Sequence, residues 1–407
     1  LFDYNILADQ VIKQACQLHH MHHEIDPVTQ KQLSIGLVRF AHTKDVIALA
    51  HALYTRAVVP NDTQCHVVVY HARQLYLLRT NLEATLDKLL NRSKPDTLFN
   101  HLAIRQAIDN SIAQHHLFIV ISTPVTEVGR DHDYDWAIIE PSSMRSIIQL
   151  AGRVWRHRPN KIANSPNIAI LGSNIKSLEH SQNYGVNTAC FCRPGFESTA
   201  FLLNSHKSEN LICHELLQNI NAIPRIITPN VNHQVIESLT QLEHRVMANL
   251  FNFKVGNTGN TTRKSNAVTS YWQSDLAHAY CGHLQLLTPF RQQQVLQDDY
   301  ICQYDPYYAN FCFRLAKIAR QYPDDLDTGL NNNYISYESW DEVMAQNPQV
   351  QPWLNFDFYQ EVQKLANYEG EHAENLIMLK LATVTLDKKI KWYYHPWFGF
   401  YEEAIKI

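Results

Sequence analysis

The stretches "IGLVRFAH" (35–42) and "DVIALAHALY" (45–54) decide the fold of this chain. The first is a continuous apolar run rich in β-branched residues, which is typical of a strand buried on both faces. The second carries its apolar residues at helical spacing. A buried strand followed at once by a helix is the repeating unit of a parallel sheet, so we expect an α/β fold.

The same alternation continues through the first half of the chain. Further helical patterns cover 75–90, 101–114 and 143–157. The other apolar strand candidates are "CHVVVYHA" (65–72), "LFIVIS" (117–122), "WAIIEP" (136–141) and "NIAILG" (167–172). Because parallel strands need crossover connections, the sequence predicts a parallel sheet with helices on both faces.

The pattern changes in the second half. An amphipathic helix over 235–252 is followed by a polar stretch over 254–270, rich in Gly, Asn and Thr, which is typical of a linker. The remaining residues hold 26 of the 43 aromatic side chains, which indicates a second core. We therefore predict an α/β domain at 1–230, a linker helix and polar loop at 231–270, and a smaller C-terminal domain at 271–407.

Two long stretches of the C-terminal domain carry apolar residues at helical spacing. They are "YYANFCFRLAKIARQY" (307–322) and "YQEVQKLANYEGEHAENLIMLKLA" (359–382). The sequence therefore predicts that this domain is mainly α.

The composition excludes several classes of protein. The 35 Lys and Arg residues against 39 Asp and Glu give a net charge of −4, so nucleic-acid binding would come from local basic patches. The eight cysteines form no CxxC pair. We expect reduced thiols in a cytoplasmic protein and predict no metal site. No apolar run approaches the roughly 18 residues of a membrane span, so no membrane partner is expected.

The stretch "QLAGRVWRHR" (149–158) concentrates cations. Gln149, Arg153 and Arg156 lie at i, i+4 and i+7, so a continuous helix would place them on one face. No acidic residue occurs between Pro141 and Leu178, which argues against an ordinary solvated face of ion pairs. Arginine favours phosphate because its planar fork forms two parallel hydrogen bonds.

A second candidate stretch is "STPVTEVGRDHDYD" (122–135). Thr123 follows a predicted strand, at the edge where open α/β sheets bind ligands. Gly129 permits a turn or the close approach of a ligand. The alternating carboxylates of Asp131, Asp133 and Asp135 fit turn or capping chemistry. A calcium loop is the other interpretation, although the glycine and closing glutamate of an EF-hand are missing.

The third candidate is the pair His71 and Arg73, which follows the strand in "VVVYHARQ" (67–74). A histidine at a strand end is commonly structural. The alternative is a contact to phosphate or nucleic acid from the same edge of the sheet.

The resemblance to a known family rests on three stretches in a fixed order: "LVRFAHT" (37–43), "STPVTEVGRDHDYD" (122–135) and "QLAGRVWRHR" (149–158). This order resembles motifs IV, V and VI of superfamily-two helicases, in their second RecA-like domain. Motif VI, QxxGRxxR, is matched from Gln149 to Arg156, and motif V, T-x5-G-x-D, from Thr123 to Asp131. The wording "TEVGRDHDYDWAIIEPSSMRSIIQLAGRVWRHR" resembles the CRISPR-associated helicase-nuclease of type I systems, subtype F. The stretches "AHAYCGHLQLLTPFRQ" (277–292) and "HPWFGFYEEA" (395–404) resemble the C-terminal domain of that subtype.

The resemblance implies a nucleotide site shared between two domains. Arg153 and Arg156 would act as arginine fingers that reach the γ-phosphate of ATP, and Gln149 would lie near the same phosphate. Gly129 and Asp131 would line the nucleotide cleft. The implied cofactors are ATP and Mg²⁺, bound together with a first RecA-like domain.

The resemblance also implies a path for DNA and a set of partners. Thr123 would contact a phosphate of single-stranded DNA, and His71 with Arg73 would do likewise. The implied partners are the N-terminal nuclease and first RecA-like domains of the same enzyme, the CRISPR target-recognition complex, the CRISPR integrase and a phage anti-CRISPR inhibitor.

Two features that a complete helicase needs are missing from the sequence. There is no G-x4-G-K-[ST] phosphate loop and no acidic magnesium-binding box after a strand. We therefore expect the motor half of an ATP-dependent DNA translocase, inactive alone. The alternatives are another superfamily-two helicase that remodels RNA or DNA, and a docking module for the recognition complex or the inhibitor.

Overall fold

The computed structural model describes residues 2–93, 98–181, 188–227, 235–251, 296–305, 310–322, 335–337, 341–377 and 381–402. The predicted polar loop, the stretch 277–292 and both predicted domain boundaries lie outside the described residues. Contacts divide the chain into two compact units, and the first comprises Leu1–Glu140, Gln149–Leu171 and Gln297–Ile407. The second unit comprises Pro141–Ile148 and Gly172–Leu296.

The strands of the described residues all belong to the first unit. In chain order they are β1 (Glu24–Ile25), β2 (Gln32–Arg39), β3 (Thr63–Tyr70), β4 (His115–Ser122), β5 (Trp136–Ile139), β6 (Ile168–Ile170), β7 (Gln297–Asp305), β8 (Asn310–Leu315), β9 (Ile335–Tyr337), β10 (Val350–Pro352), β11 (Thr383–Asp387), β12 (Trp392–His395) and β13 (Gly399–Glu402).

The helices are distributed over both units. In chain order they are α1 (Tyr4–His22), α2 (Thr43–Arg56), α3 (Tyr76–Leu89), α4 (Leu102–Asp109), α5 (Met144–Ala151), α6 (Ile175–Ser181), α7 (Ser208–Leu211), α8 (His214–Gln218), α9 (Ile223–Ile226), α10 (Leu239–Phe251), α11 (Ala316–Gln321), α12 (Asp341–Met344), α13 (Phe358–Glu369) and α14 (Ala373–Leu376).

The main sheet has the strand order β10-β3-β4-β2-β5-β6, and every pair in this order is parallel. The short strand β1 adds to β2 in antiparallel fashion. After its first residue β2 is buried throughout, as β4 is, because each is an apolar run covered on both faces. The predicted parallel sheet with helices around it is confirmed, and α1 and α2 both pack against its strands.

The C-terminal part of the first unit contains sheets as well as helices. The strands β11, β7 and β8 form one antiparallel sheet, and β13, β12 and β9 form another. The prediction of a mainly α domain was therefore wrong. The predicted helix over 307–322 includes strand β8, and helix begins only at Ala316.

The reason for this difference is a period of two within the stretch "FCFRL" (311–315). Phe311 and Phe313 alternate with Cys312 and Arg314, and both aromatic rings contact Tyr394 with centroids 5.4 and 5.1 Å apart. Because β8 and β12 belong to different sheets, these contacts pack the aromatic face of β8 against the other sheet, which favours the strand conformation. The second predicted helix, over 359–382, is confirmed in its first half as α13, which ends at Gly370 in the left-handed conformation.

The C-terminal region packs directly on the α/β sheet of the same unit. Strand β10 extends that sheet beside β3, and the amide of Trp353 donates to the carbonyl of Val67 at 2.8 Å. One hydrophobic cluster joins Leu75 and Leu78, at the start of α3, to Trp392 of β12. The aromatic residues of this region therefore form a core that includes part of the α/β domain.

A buried carboxylate, that of Glu197, links several backbone segments of the second unit. The side chain of Glu197 accepts hydrogen bonds from the amides of Cys190, Phe191 and Leu203, at 2.7 to 2.9 Å, and pairs with His206 at 3.0 Å. The predicted linker helix appears in this unit as α10. No helix of the described residues is long and apolar enough to cross a membrane.

The strands β12 and β13 form a C-terminal hairpin. Gly399, at the start of β13, gives a test of the packing between this hairpin and β3. It has φ +76°, and a Cβ atom there would overlap the carbonyl oxygen of Arg73. We expect Gly399→Ala to lower the free energy of unfolding by about 2–4 kcal/mol, from backbone strain and steric overlap together. Urea denaturation of the chain measures this change.

Gly370 provides the matched control because it has φ +70° but open space around the position of a Cβ atom. Gly370→Ala should cost only the backbone term of about 1 kcal/mol. Equal losses in the two variants would contradict the predicted close packing at Gly399.

Candidate functional site

The predicted DNA-contacting residues do lie at one edge of the sheet. Thr123 follows β4, and His71 and Arg73 follow β3, its parallel neighbour. The amide of Thr123 donates to the carbonyl of Tyr70 at 3.2 Å, and the residue is 7% exposed. The carboxyl ends of β3 and β4 therefore bring these residues together, as expected for an open parallel sheet.

His71 is buried against the C-terminal hairpin. Its Nδ1 accepts from the amide of Arg73 at 3.0 Å, so its Nε2 carries the proton that is donated to the carbonyl of Phe398 at 2.8 Å. Burial lowers the pKa of His71 to about 4. A neutral histidine that is buried in this way exposes no atom to a phosphate. The contact between His71 and DNA stays a prediction.

Arg73 is likewise engaged by the hairpin formed by β12 and β13. Its guanidinium pairs with Glu402 at 3.1 Å and lies over the ring of Trp392, 4.6 Å from the centroid. The amide of Phe400 donates to the carbonyl of Arg73 at 2.8 Å. The side chain of Arg73 is about one-third exposed, so part of the cation still faces solvent.

The loop between β4 and β5 carries the residues predicted for the nucleotide cleft. A 3-10 turn over Pro124–Thr126 opens it, and Gly129 turns the chain with φ +73°. A Cβ atom at Gly129 would meet nothing within 4 Å, so the glycine serves the turn. The next predicted residue, Asp131, is 69% exposed at its side chain.

The predicted helical face of Gln149, Arg153 and Arg156 is not formed. Helix α5 ends at Ala151, so only Gln149 lies on it. Trp155 adopts φ +52°, a left-handed conformation that an α-helix cannot contain. The two arginines lie in the turn that follows the helix.

Backbone pairing with the β4–β5 loop stabilises this turn. The amide of Tyr134 donates to the carbonyl of Arg153 at 2.8 Å, and the amide of Trp155 donates to the carbonyl of Tyr134 at 3.1 Å. The turn and the loop thus lie side by side, although more than 15 residues separate them in the sequence. Their proximity brings the residues predicted from motif V close to those predicted from motif VI.

The arginines of the turn have partners that the local sequence did not reveal. Arg153 donates to the carbonyl of Glu127 at 2.8 Å, and Arg156 pairs with Asp131. Hydrogen bonds from Arg156, and then from His157, lower the pKa of Asp131. The absence of acidic residues from 141 to 178 was therefore misleading, because the acids come from the β4–β5 loop.

Sequence reasoning missed the group that anchors Arg153. Arg39, at the end of β2, pairs with Glu127 at 2.8 Å, and both side chains are buried. Arg39 also donates to the carbonyl of Glu140 at 2.8 Å. A charged residue within the apolar run "IGLVRFAH" was the signal, since a buried arginine needs an acidic partner.

It also missed a group of buried ion pairs around Arg158. The side chain of Arg158 contacts Asp133, Asp135 and Glu24 at 2.7, 2.7 and 2.8 Å. The signal available in the sequence was the presence of three acidic residues at alternate positions of the loop and of three arginines in the turn. Asp133 and Asp135, which also fitted a calcium loop, are engaged with arginine here.

The buried state of His71 predicts how stability depends on pH. Between about pH 6.5 and pH 4 the unfolded chain binds a proton at this residue that the folded chain excludes, so stability falls as pH falls through this window. We expect His71→Gln to depend less steeply on pH there, by up to one proton. Urea unfolding of both proteins at about pH 7, 6 and 5 measures the slopes. Identical slopes would contradict the buried neutral imidazole.

The parallel sheet, the T-x5-G-x-D loop after β4 and the arginine-bearing turn beside it define a RecA-like domain of the helicase class. Residues 32–159 match the family model "CRISPR-associated nuclease/helicase Cas3, C-terminal". Residues 320–402 match "CRISPR-associated Cas3 subtype I-F/YPEST-like, C-terminal domain". The chain belongs to the Cas3 family and corresponds to its C-terminal part.

Two curated relatives carry the name "CRISPR-associated nuclease/helicase Cas3 subtype I-F/YPEST". The one from Pectobacterium atrosepticum is 38% identical over 292 residues, which cover 71% of this chain and 25% of the relative. The one from Pseudomonas aeruginosa is 34% identical, over 97% of this chain and 34% of the relative. The chain thus spans a quarter to a third of the length of these relatives.

Solved structures show a more distant similarity. The T. fusca Cas3-ATP crystal structure is 18% identical, with a TM-score of 0.28 over 40% of this chain and 16% of that chain. A structure described as "CRISPR-associated protein" is 12% identical, with a TM-score of 0.38 over 97% of this chain and 40% of that one.

Proposed function

We propose that this chain is the second motor domain, with the C-terminal domain, of an ATP-dependent single-stranded DNA translocase and nuclease that degrades foreign DNA in CRISPR interference. The observation that carries the proposal is the pairing of the β4–β5 loop with the arginine turn. It brings Arg153 and Arg156 to the same place as Gly129 and Asp131. Gln149 lies just before them, on the last turn of α5.

The turn is suited to an anion. Arg156 is 43% exposed, and its only charged partner among the described residues is the exposed Asp131. Such exposed pairs are weak and exchange readily. Arg153 is more enclosed, because its Nε is buried and its Nη2 donates to the carbonyl of Glu127. Arg156 is therefore the better exposed of the two to a phosphate that arrives from another domain.

Arginines placed in this way stabilise the negative charge that builds on a transferring phosphoryl group. Mg²⁺ bound with ATP would neutralise part of the same charge. The 407-residue sequence contains no phosphate loop to hold the nucleotide. The first RecA-like domain of the parent enzyme would therefore supply that half of the site.

The DNA path is proposed along the carboxyl ends of β3 and β4, where Thr123 lies. Contacts to the DNA backbone there would allow movement without reading sequence. Because His71 and Arg73 contact the C-terminal hairpin, DNA that reaches them would have to displace or share those contacts. The proposed protein partners remain the nuclease and first RecA-like domains, the recognition complex, the CRISPR integrase and a phage inhibitor.

The docking-module alternative rested on the aromatic-rich C-terminal region. Phe313, Tyr394 and Phe400 pack on one another in a buried cluster. Their burial accounts for these three aromatic residues without a partner protein. The pairing of the β4–β5 loop with the arginine turn favours the motor function.

Replacement of either finger tests this proposal. In the full-length enzyme, Arg153→Ala and Arg156→Ala should each lower DNA-stimulated ATP hydrolysis by about 10³-fold or more, because the transition-state charge loses its partner. Binding of single-stranded DNA, measured by fluorescence anisotropy, should stay within about twofold.

Arg130→Ala is the matched control, since Arg130 lies in the same loop but pairs with Glu83 and Asp87 of α3. It should leave ATP hydrolysis close to that of the wild type. A loss of DNA affinity as large as the loss of ATPase rate would instead identify Arg153 and Arg156 as strand contacts.

A second experiment concerns the chain alone. We expect the purified 407-residue chain to show no DNA-stimulated ATP hydrolysis, because the phosphate loop is missing from its sequence. A phosphate-release assay with and without single-stranded DNA measures this. Turnover that exceeds the buffer blank, and that Arg153→Ala abolishes, would overturn the shared-site proposal.

A further inference from the structure

We propose that Arg158 is a positioning residue for phosphoryl transfer, which holds the arginine turn so that Arg156 is pre-organised toward the nucleotide. The inference rests on the proposed function, since it gives Arg158 a role only through Arg156.

Arg158 is more extensively bonded than either finger. Its Nε and Nη2 donate to the two oxygens of Asp133 at 3.0 and 2.7 Å. Its Nη1 donates to Asp135 at 2.7 Å and to Glu24 at 2.8 Å. A fifth bond runs from Nη2 to the carbonyl of Tyr134 at 3.0 Å. This bidentate arrangement fixes direction as well as distance.

The partners of Arg158 are themselves fixed to the sheet. Asp135 accepts from the amide of Ile35 in β2 at 2.8 Å and from Arg92 at 3.0 Å. Burial alone would raise the pKa of Asp135, but the charges of Arg92 and Arg158 lower it. Asp133 accepts from the amide of His157 at 3.1 Å and donates its own amide to the carbonyl of Leu90.

The charges in this network nearly balance. Arg158 and Arg92 face three carboxylates, those of Asp133, Asp135 and Glu24, and Lys161 lies 3.8 Å from Glu24. The side chains of Asp133 and Asp135 are fully buried, and that of Arg158 is 13% exposed. Arg158 is therefore committed to the protein, whereas a phosphate of DNA needs a cation with unsatisfied donors.

The finger two residues earlier has no such anchor of its own. Arg156 pairs only with the exposed Asp131 among the charged groups described, so its backbone position depends on its neighbours. On one side the amide of Trp155 donates to the carbonyl of Tyr134, and on the other Arg158 donates to the same carbonyl and to the carboxylates. Because Arg158 is anchored and Arg156 is not, Arg156 can exchange Asp131 for a phosphate while the turn stays in place. Catalytic rate depends steeply on such placement, and a shift of about 1 Å can cost about 10²-fold.

The test uses the full-length enzyme with Arg158→Gln, Arg158→Lys and the control Arg105→Gln. Arg105 pairs with the buried Asp26 at 2.8 Å, outside this network. Arg158→Gln should lower kcat for DNA-stimulated ATP hydrolysis by about 10- to 100-fold, with KM for ATP within about twofold. Arg158→Lys should recover part of the loss, because lysine keeps the charge but not the fork. Arg105→Gln should lower Tm by about as much as Arg158→Gln does, but it should leave kcat unchanged.

A double-variant cycle separates positioning from general stability. If Arg158 acts through Arg156, Arg158→Gln should cause no further fall in kcat in an Arg156→Ala background. A multiplicative further fall, or a loss that matches that of Arg105→Gln, would overturn the inference. If Arg156→Ala shows the expected fall in kcat while Arg158→Gln keeps full activity, the positioning role of Arg158 is overturned and the proposed function is not. Full activity in Arg156→Ala would overturn the proposed function, and the positioning role with it.

Discussion

The buried carboxylate of Asp135 is the group on which the architecture of the site depends. It accepts from the backbone of β2 through Ile35, and it pairs with Arg92 and with Arg158. Three segments that are remote in sequence therefore meet at one residue directly before β5. Loss of one partner from a buried ionic group leaves an uncompensated charge, which costs about 3–5 kcal/mol. The arrangement is thus tolerant of little change, as a site that must hold a precise geometry requires.

The C-terminal hairpin imposes a second constraint, at the carboxyl end of β3. The hairpin buries His71, covers part of Arg73 and completes an apolar core with the start of α3. The same sheet edge is where an open α/β sheet offers a ligand site. A strand of DNA that follows this edge would thus meet the hairpin. In the proposed path of DNA, the C-terminal region would therefore contact the ligand as well as form part of the core.

The sequence predicts those elements whose pattern is local. Strands such as β2 and β4 are short, nearly continuous apolar runs, and this is the pattern expected of a strand that is buried on both faces. The end of α5 could not be predicted, because Trp155 adopts its left-handed conformation in a turn that pairs with the distant Tyr134. Strand β10 is only three residues long and includes Pro352, so nothing local marks it as part of the sheet. The same holds for the acidic partners of the arginines, which are close in space but not in sequence.

The two proposed fingers, Arg153 and Arg156, are held by different anchors at neighbouring strands. Arg153 is tied through Glu127 to Arg39 at the end of β2, whereas Arg156 depends on Arg158 and the carboxylate that precedes β5. Since β2 and β5 are adjacent parallel strands, their hydrogen-bonded register sets the distance between the two anchors. A rigid sheet therefore fixes the spacing of two cations, the half-buried Arg153 and the exposed Arg156. Buried ion pairs contribute little net stability, but here they determine where two charges stand, and this is the property that stabilisation of a phosphoryl transition state requires.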